Sequence, residues 1–344
     1  MPRIIFKPEY FGPHMGPTFS VRGSVTCGWD EIAHAAITVG RRNWPDVIQH
    51  GTYSVLEALW RLALVRANLV QDANGVLMPS QAFMDLDRSE KGAVSYFLGM
   101  CFSKLFADRL FQVPWLLHLD VYRQRIDPAF ALPLRPDFVG VDANRDWLVL
   151  ESKGRSWQLP TSLMTTAKRQ TRSLRRIGGV LPALRVAVGS YFTSAGVTAR
   201  IWDPDDFAED AMDLSIEPHV VAREYYRPLL DYLNATPHER VMRDDGTWVV
   251  RAELPGMDAS IAIDEDVLDW SQGRRSWDDV VPPRAAFRPP IAGRLAKHRG
   301  EEVGPESRHD LLRPEPRRAD GVGVELGASW REELMRRQPG DRAG

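Results

Sequence analysis

Asp137, Glu151 and Lys153 are the residues whose types and spacing could do chemistry together. Pro136-Asp137 opens a short apolar run, Phe138 to Val141, and Asp142-Ala-Asn-Arg-Asp146 has the residues a hairpin connection uses. Trp147 to Leu150 is a second apolar run, which ends in Glu151-Ser152-Lys153. Alternation along a strand puts Glu151 and Lys153 on one face and Ser152 on the other. If the two runs pair as a hairpin, Asp137 lies at the same end as Glu151. Two carboxylates and an ammonium at the end of an apolar sheet are costly without partners. With the backbone carbonyl of Ser152, the carboxylates of Asp137 and Glu151 offer hard oxygen ligands to Mg²⁺ or Mn²⁺. Such a metal lowers the pKa of bound water and stabilises the charge of a phosphorane-like transition state. Lys153 would orient that water or neutralise the developing charge.

The elements that must position these groups follow from periodicity. Asp87 to Leu110 reads as a helix, with Val94, Phe97, Leu98, Cys101 and Leu105 on one face and Glu90 one turn before Val94. Asp87-Arg-Ser-Glu90 is also a capping-box pattern, in which Glu90 reaches back to the helix start. Trp115 to Tyr122 reads as a half-polar strand on which His118 and Asp120 share a face. A second helix is expected from Thr161 or Ser162 as N-cap to about Ile177, stopping at Gly178-Gly179. Gln170 is the polar exception on its stripe of Leu163, Ala167, Leu174 and Ile177. Lys168, Arg172, Arg175 and Arg176 fall on an adjacent face, and with Arg155 they are candidates to track nucleic-acid phosphates. A solvated face is the plainer account of that cluster, as a bond to backbone is for Gln170. Leu184 to Tyr191 reads as an interior strand and completes the order helix, strand, strand, strand, helix, strand.

Pro136-Asp137 followed by Glu151-Ser152-Lys153 resembles the signature of the PD-(D/E)xK, or restriction-endonuclease-like, nucleases. The resemblance covers about residues 87–193. It implies an α/β (α+β) protein with an αβββαβ core and Mg²⁺-dependent hydrolysis of phosphodiester bonds, with DNA as the expected nucleic acid and an endonuclease as the expected enzyme. It further implies Asp137 and Glu151 as metal ligands and Lys153 as the catalytic lysine. In that family the first core helix often brings another carboxylate, here Glu90, and a polar residue of the second helix, here Gln170, faces the active site. The chain departs from the branch that carries a tyrosine four residues after that glutamine, because Leu174 stands there. A nuclease fold without the chemistry, serving as a nucleic-acid-binding or protein-interaction module, is the alternative, with the acids and the lysine as a structural ion pair.

Composition fits these expectations. The 344 residues carry a net charge of −2, so the whole chain is no polycation. Between Arg123 and Arg185, however, twelve Lys/Arg face five Asp/Glu, a surplus of seven. A basic zone around an acidic site is what a phosphate-backbone binder needs. Cys27 and Cys101 form no disulfide framework or metal-ligand spacing. No apolar run approaches the roughly 20 residues of a membrane span, and the start of the chain lacks a signal pattern, so a cytoplasmic protein is expected. Four regions are read: 1–86, a mostly helical support; 87–193, the nuclease-like core; 194–281, an acidic accessory region with strands at Trp248 to Glu253 and Ile261 to Ile263; and 282–344, a disordered tail rich in Pro, Arg, Gly and Glu. A short helix opening at Ser329 in that tail could dock onto a protein partner.

Overall fold

The computed structural model describes residues 1–11, 22–39, 52–126, 135–203, 206–280 and 320–330. The strands are β1 (Arg3–Glu9), β2 (Gly23–Thr26), β3 (Leu69–Gln71), β4 (Leu77–Pro79), β5 (Trp115–His118), β6 (Phe138–Val141), β7 (Trp147–Arg155), β8 (Leu174–Ile177), β9 (Leu184–Thr193), β10 (Gly196–Trp202), β11 (Met212–Leu214), β12 (His238–Met242), β13 (Trp248–Leu254), β14 (Ala259–Asp264) and β15 (Val322–Leu326). The longer helices are α1 (Trp29–Thr38), α2 (Thr52–Asn68), α3 (Arg88–Phe106), α4 (Leu119–Ile126), α5 (Thr161–Thr171), α6 (Pro218–Ala235) and α7 (Glu265–Ser271).

The protein is α+β. Its main sheet has seven strands in the order β2-β1-β10-β9-β7-β6-β5. It is mixed: β7 with β9 and β1 with β10 run parallel, and the other neighbours are antiparallel. The β6–β7 hairpin forms as the sequence predicts, turning on Asp142, whose Oδ1 accepts from the backbone N–H groups of Asn144 and Asp146 at 2.8 Å each. Over the stretch expected to run helix, strand, strand, strand, helix, strand, the described elements are α3, β5, α4, β6, β7, α5, β8 and β9, so that α4 separates β5 from β6 and β8 precedes β9.

Helices cover both faces. Ser152 points towards α3, where its Oγ accepts from Ser103 Oγ at 2.9 Å. One residue on, the face reverses: Lys153 is in register with Gly189, whose position is overhung by Leu159 and by Met164 of α5. Gly99 of α3 and Gly154 of β7 permit the closest approach. A Cβ on Gly154 would stand 1.8 Å from the Ser95 carbonyl oxygen, and one on Gly99 would stand 2.7 Å from Gly154 Cα. Backbone cannot yield as a side chain can, so Gly154→Ala is expected to destabilise the fold by about 1–3 kcal/mol or more. Gly92→Ala, on the same helix with open space around it, is expected to raise stability by up to ~1 kcal/mol. Paired denaturant melts check both signs.

Five expectations are corrected. Residues 1–86 are not only helical support, since β1 and β2 belong to the main sheet; Ile4, Phe6 and Pro8 alternate inward as a half-buried strand requires. The strand expected over 115–122 stops at His118, and Leu119 starts α4. The helix expected to Ile177 stops at Thr171, and Leu174–Ile177 instead pairs parallel with β11. Its N-cap is Pro160, not Thr161 or Ser162. Finally, part of the expected disordered tail is core structure. β15 closes a second, four-stranded sheet of order β12-β13-β14-β15, and Trp330 is buried, donating from Nε1 to the Met257 carbonyl at 2.6 Å. In the accessory region β13 and β14 form where strands are expected, while α6 runs through Pro228 without a break.

No described helix is long and apolar enough to cross a membrane.

Candidate functional site

The hairpin register sets the site. Phe138 lies opposite Leu150, so Asp137 and Glu151 meet one step beyond the last ladder pair. Two reciprocal hydrogen bonds fix them: the Asp137 N–H donates to Glu151 Oε2 at 2.8 Å, and the Ser152 N–H donates to Asp137 Oδ2 at 3.0 Å. Lys153, on the same face as Glu151, donates from Nζ to Glu151 Oε1. Asp137, Glu151 and Lys153 are therefore contiguous. Glu151 is fully buried and Lys153 is partly open to solvent.

The corner that carries Asp137 is held from two sides. Gln170 of α5 donates from Nε2 to the Arg135 carbonyl at 3.0 Å, and the Leu119 N–H at the start of α4 donates to the Asp137 carbonyl at 2.7 Å. Gln170 thus acts on the loop that delivers Asp137. These two bonds fix the backbone on either side of the Asp137 side chain.

Burial first, then the neighbouring negative charge of Asp137, pushes the Glu151 carboxyl up to about 8, against the lowering effect of Lys153. The same field reaches Tyr96 on α3: burial, then Asp137 and Glu151, hold its hydroxyl above the usual range. His118 is held below its ordinary range by burial, with Asp137 and Asp120 opposing. Its Nδ1 is buried without a hydrogen-bond partner, and its ring stands edge-on to Phe138 at 5.1 Å.

The other candidates fall elsewhere. Glu90 is exposed and closes a capping box: Asp87 N–H donates to Glu90 Oε2 at 3.2 Å, and Asp87 Oδ1 accepts from the N–H groups of Ser89 and Glu90. Asp120 lies in the first turn of α4, ion-paired with Arg135, and does not share a strand face with His118. The basic cluster is not one helix face. Lys168 is on α5, its Nζ 4.9 Å from the centre of the Tyr10 ring. Arg172 caps that helix, half-buried. Arg175 and Arg176 lie on β8, where Arg175 makes a two-point pair with Asp213 and Arg176 is exposed. Arg155 ends β7, exposed beside the site.

Comparison with family models, curated proteins and solved structures gave no match.

Tyr96 and Arg135 are the site neighbours that sequence reasoning missed. Tyr96 is one residue before Phe97 of the apolar stripe, and no local pattern marks it as facing the strand end. Arg135 contributes a carbonyl, which carries no residue-type signal. Among the described residues no group of three or more His, Cys, Asp or Glu converges as a metal-ligand set.

The raised Glu151 pKa has a consequence for stability. Between the ordinary carboxylate range and about 8, the folded protein holds a proton that the unfolded chain has released. The folded state binds more protons there, so this group's contribution is present at low pH and is lost as pH rises to about 8. In chelator, the melting temperature is expected to fall across that window, and Glu151→Gln is expected to flatten the fall. A wild-type profile as flat as that of the variant would count against the assignment.

Proposed function

We propose that this protein is a metal-dependent nuclease with a restriction-endonuclease-like core, hydrolysing phosphodiester bonds of nucleic acid, with DNA the expected substrate. The observation that carries the reading is the reciprocal bonding of Asp137 and Glu151, which joins two carboxylates and Lys153 where β6 begins beside the last part of β7.

The donor set fits a hard divalent cation, Mg²⁺ or Mn²⁺. Two carboxylates are hard oxygen donors, with the Ser152 carbonyl as the expected third, and a dication would offset the burial and the Asp137 charge that raise Glu151. When bound, such an ion supplies a water of lowered pKa and a counter-charge for the phosphoryl oxygens. The chain's own part is derivable. Glu151 and Asp137 hold each other through backbone N–H groups, so neither side chain needs to reorganise as charge develops. Lys153 lies beside them and can donate to a non-bridging oxygen once released from Glu151. Arg155, exposed on the same strand, can hold the adjoining phosphate.

The first test is incubation with single- and double-stranded DNA and RNA in Mg²⁺ or Mn²⁺, with Lys153→Ala as control. Equal action by both proteins would reject the reading. Calorimetric titration is expected to show Mn²⁺ binding that Glu151→Ala abolishes.

A second reading has its own support. Both Glu151 oxygens are already bonded, to Asp137 N–H and Lys153, as a structural ion pair would have them. It makes the protein a nuclease-like binding module, and it expects no metal-dependent heat.

A further inference from the structure

We propose that the exposed aromatic surface formed by Trp60 and Tyr96, with Leu56 beside it, is a stacking platform for unpaired nucleotides, so that the substrate is taken as single strand. This deepens the nuclease reading and rests on it for the chemistry, though the surface itself is argued separately.

The surface is built by two helices. On α2, Leu56 and Trp60 are 50% and 44% exposed, one turn apart. On α3, Tyr96 is 46% exposed. Phe97 ties the two together: its ring centre is 4.5 Å from that of Trp60 and 5.3 Å from that of Tyr96, both in edge-on contact. Trp60 and Tyr96 are thus held in place by a partly buried ring while keeping much of their own area in water. Large exposed aromatics brought together on a surface mark a binding site more often than scattered ones do.

The position of the surface argues for its occupant. Tyr96 is rooted against the end of β7, where a Cβ on Gly154 would lie 3.1 Å from Tyr96 Cα. Gly154 sits between Lys153 of the site and exposed Arg155. The Tyr96 hydroxyl feels the negative charge of Asp137 and Glu151. Tyr96 therefore stands beside the strand end that carries the carboxylate pair, and a chain crossing that end would bring its next bases over these rings. Around it the exposed residues of α3 include small ones, Ser89, Gly92 and Ala93, and the charges of Arg88 and Glu90 offset each other, so the rings are the contact on offer. A π-face offers every base a stacking partner. A duplex hides its base faces, so stacked aromatics at the site select strands whose bases are free.

Fluorescence anisotropy with a labelled oligothymidylate of about 20 nucleotides, and with a duplex of that length, in chelator, tests the idea. The wild-type protein is expected to bind the single strand more tightly. Trp60→Ala and Tyr96→Ala are each expected to weaken that binding about tenfold and to leave duplex binding unchanged, while Trp60→Phe keeps most of it. Each variant is first shown to melt as wild type does. Single-strand affinities unchanged in both alanine variants would overturn the platform. So would self-association, by sedimentation, that Trp60→Ala abolishes without changing oligonucleotide affinity, because the patch would then be a contact between protein copies.

The two readings fail differently. A protein that binds single strands through Trp60 and Tyr96 but cleaves nothing retains the platform and loses the nuclease. A protein that cleaves duplex and single strand alike, with Trp60→Ala binding as wild type does, retains the nuclease and loses the platform.

Discussion

Asp137→Asn is expected to lower metal-dependent cleavage by on the order of 10²–10³-fold, the loss seen when a group that stabilises developing charge is removed. The same change is expected to stabilise the metal-free protein at about pH 8. The two effects have one origin. Asparagine keeps an oxygen able to accept from the Ser152 N–H, so the corner stays bonded. It removes the negative charge that, after burial, does most to raise Glu151. With that repulsion gone, Glu151 ionises more readily beside Lys153, and the pH-dependent loss of stability shrinks. Lys153→Ala should abolish cleavage to a similar degree with the opposite effect on stability, because Glu151 is left buried without its cation and must take up a proton. Cleavage assays and melts in chelator, run on the same preparations, read both. A structural ion pair would show the stability changes alone. Unchanged cleavage in both variants would remove the catalytic role from these residues.

How much of this was legible in the sequence depends on how local each cause was. The β6–β7 hairpin was legible because its determinants are adjacent: two apolar runs and a turn in which the Asp142 side chain bonds the backbone two and four residues on. That hairpin alone brings Asp137 to Glu151, so the centre of the candidate site was legible with it. The α3 helix was legible down to its cap; Glu90 was a ligand candidate only through the family resemblance, and of the two accounts the structure shows the capping box. Errors arose where a distant partner chose between two local readings. Leu174 and Ile177 are three apart, a spacing that suits a helix face, yet Met212–Leu214 recruits them as a strand, and both are buried that way. Beyond His118, Leu119, Tyr122 and Ile126 have helical spacing hidden inside a run that also alternates. The Leu119 N–H bonded to the Asp137 carbonyl marks the switch. β1 and β15 were missed for the same reason, since each is stabilised by strands far off in sequence, β10 and β14. The tail composition was silent about a few apolar positions, Val322, Val324 and Trp330, that become core, while residues 282–319 and 331–344 lie outside the described residues.

Asp320→Ala is the substitution expected to cost the most stability, about 3–5 kcal/mol, the range for breaking a buried ionic group by removing one partner. Asp320 is 1% exposed. Its Oδ2 lies 2.8 Å from His34 Nε2 of α1 and accepts from the Tyr225 hydroxyl of α6, while its backbone carbonyl accepts from Tyr226 at 2.6 Å. Oδ1 accepts from Val322 N–H and so starts β15. One carboxylate thus ties the last described segment to the first long helix and to α6. Burial alone would raise its pKa, but His34, the Lys104 ammonium and the Tyr225 hydroxyl together hold it well below the usual carboxylate range. A depressed folded-state pKa means that the contribution is in place above the ordinary carboxylate range and is lost as pH falls towards the folded value, so only strongly acid solution releases it. Deleting residues 320–344 should act in the same direction and further, because it also uncovers the β14 edge and removes Trp330 from the core. Denaturant melts of wild type, Asp320→Asn, Asp320→Ala and the truncated chain should rank in that order of falling stability. A segment that merely lay on a finished fold would leave all four alike; the ranking instead requires that the fold close only when the chain returns from beyond residue 319 to satisfy His34.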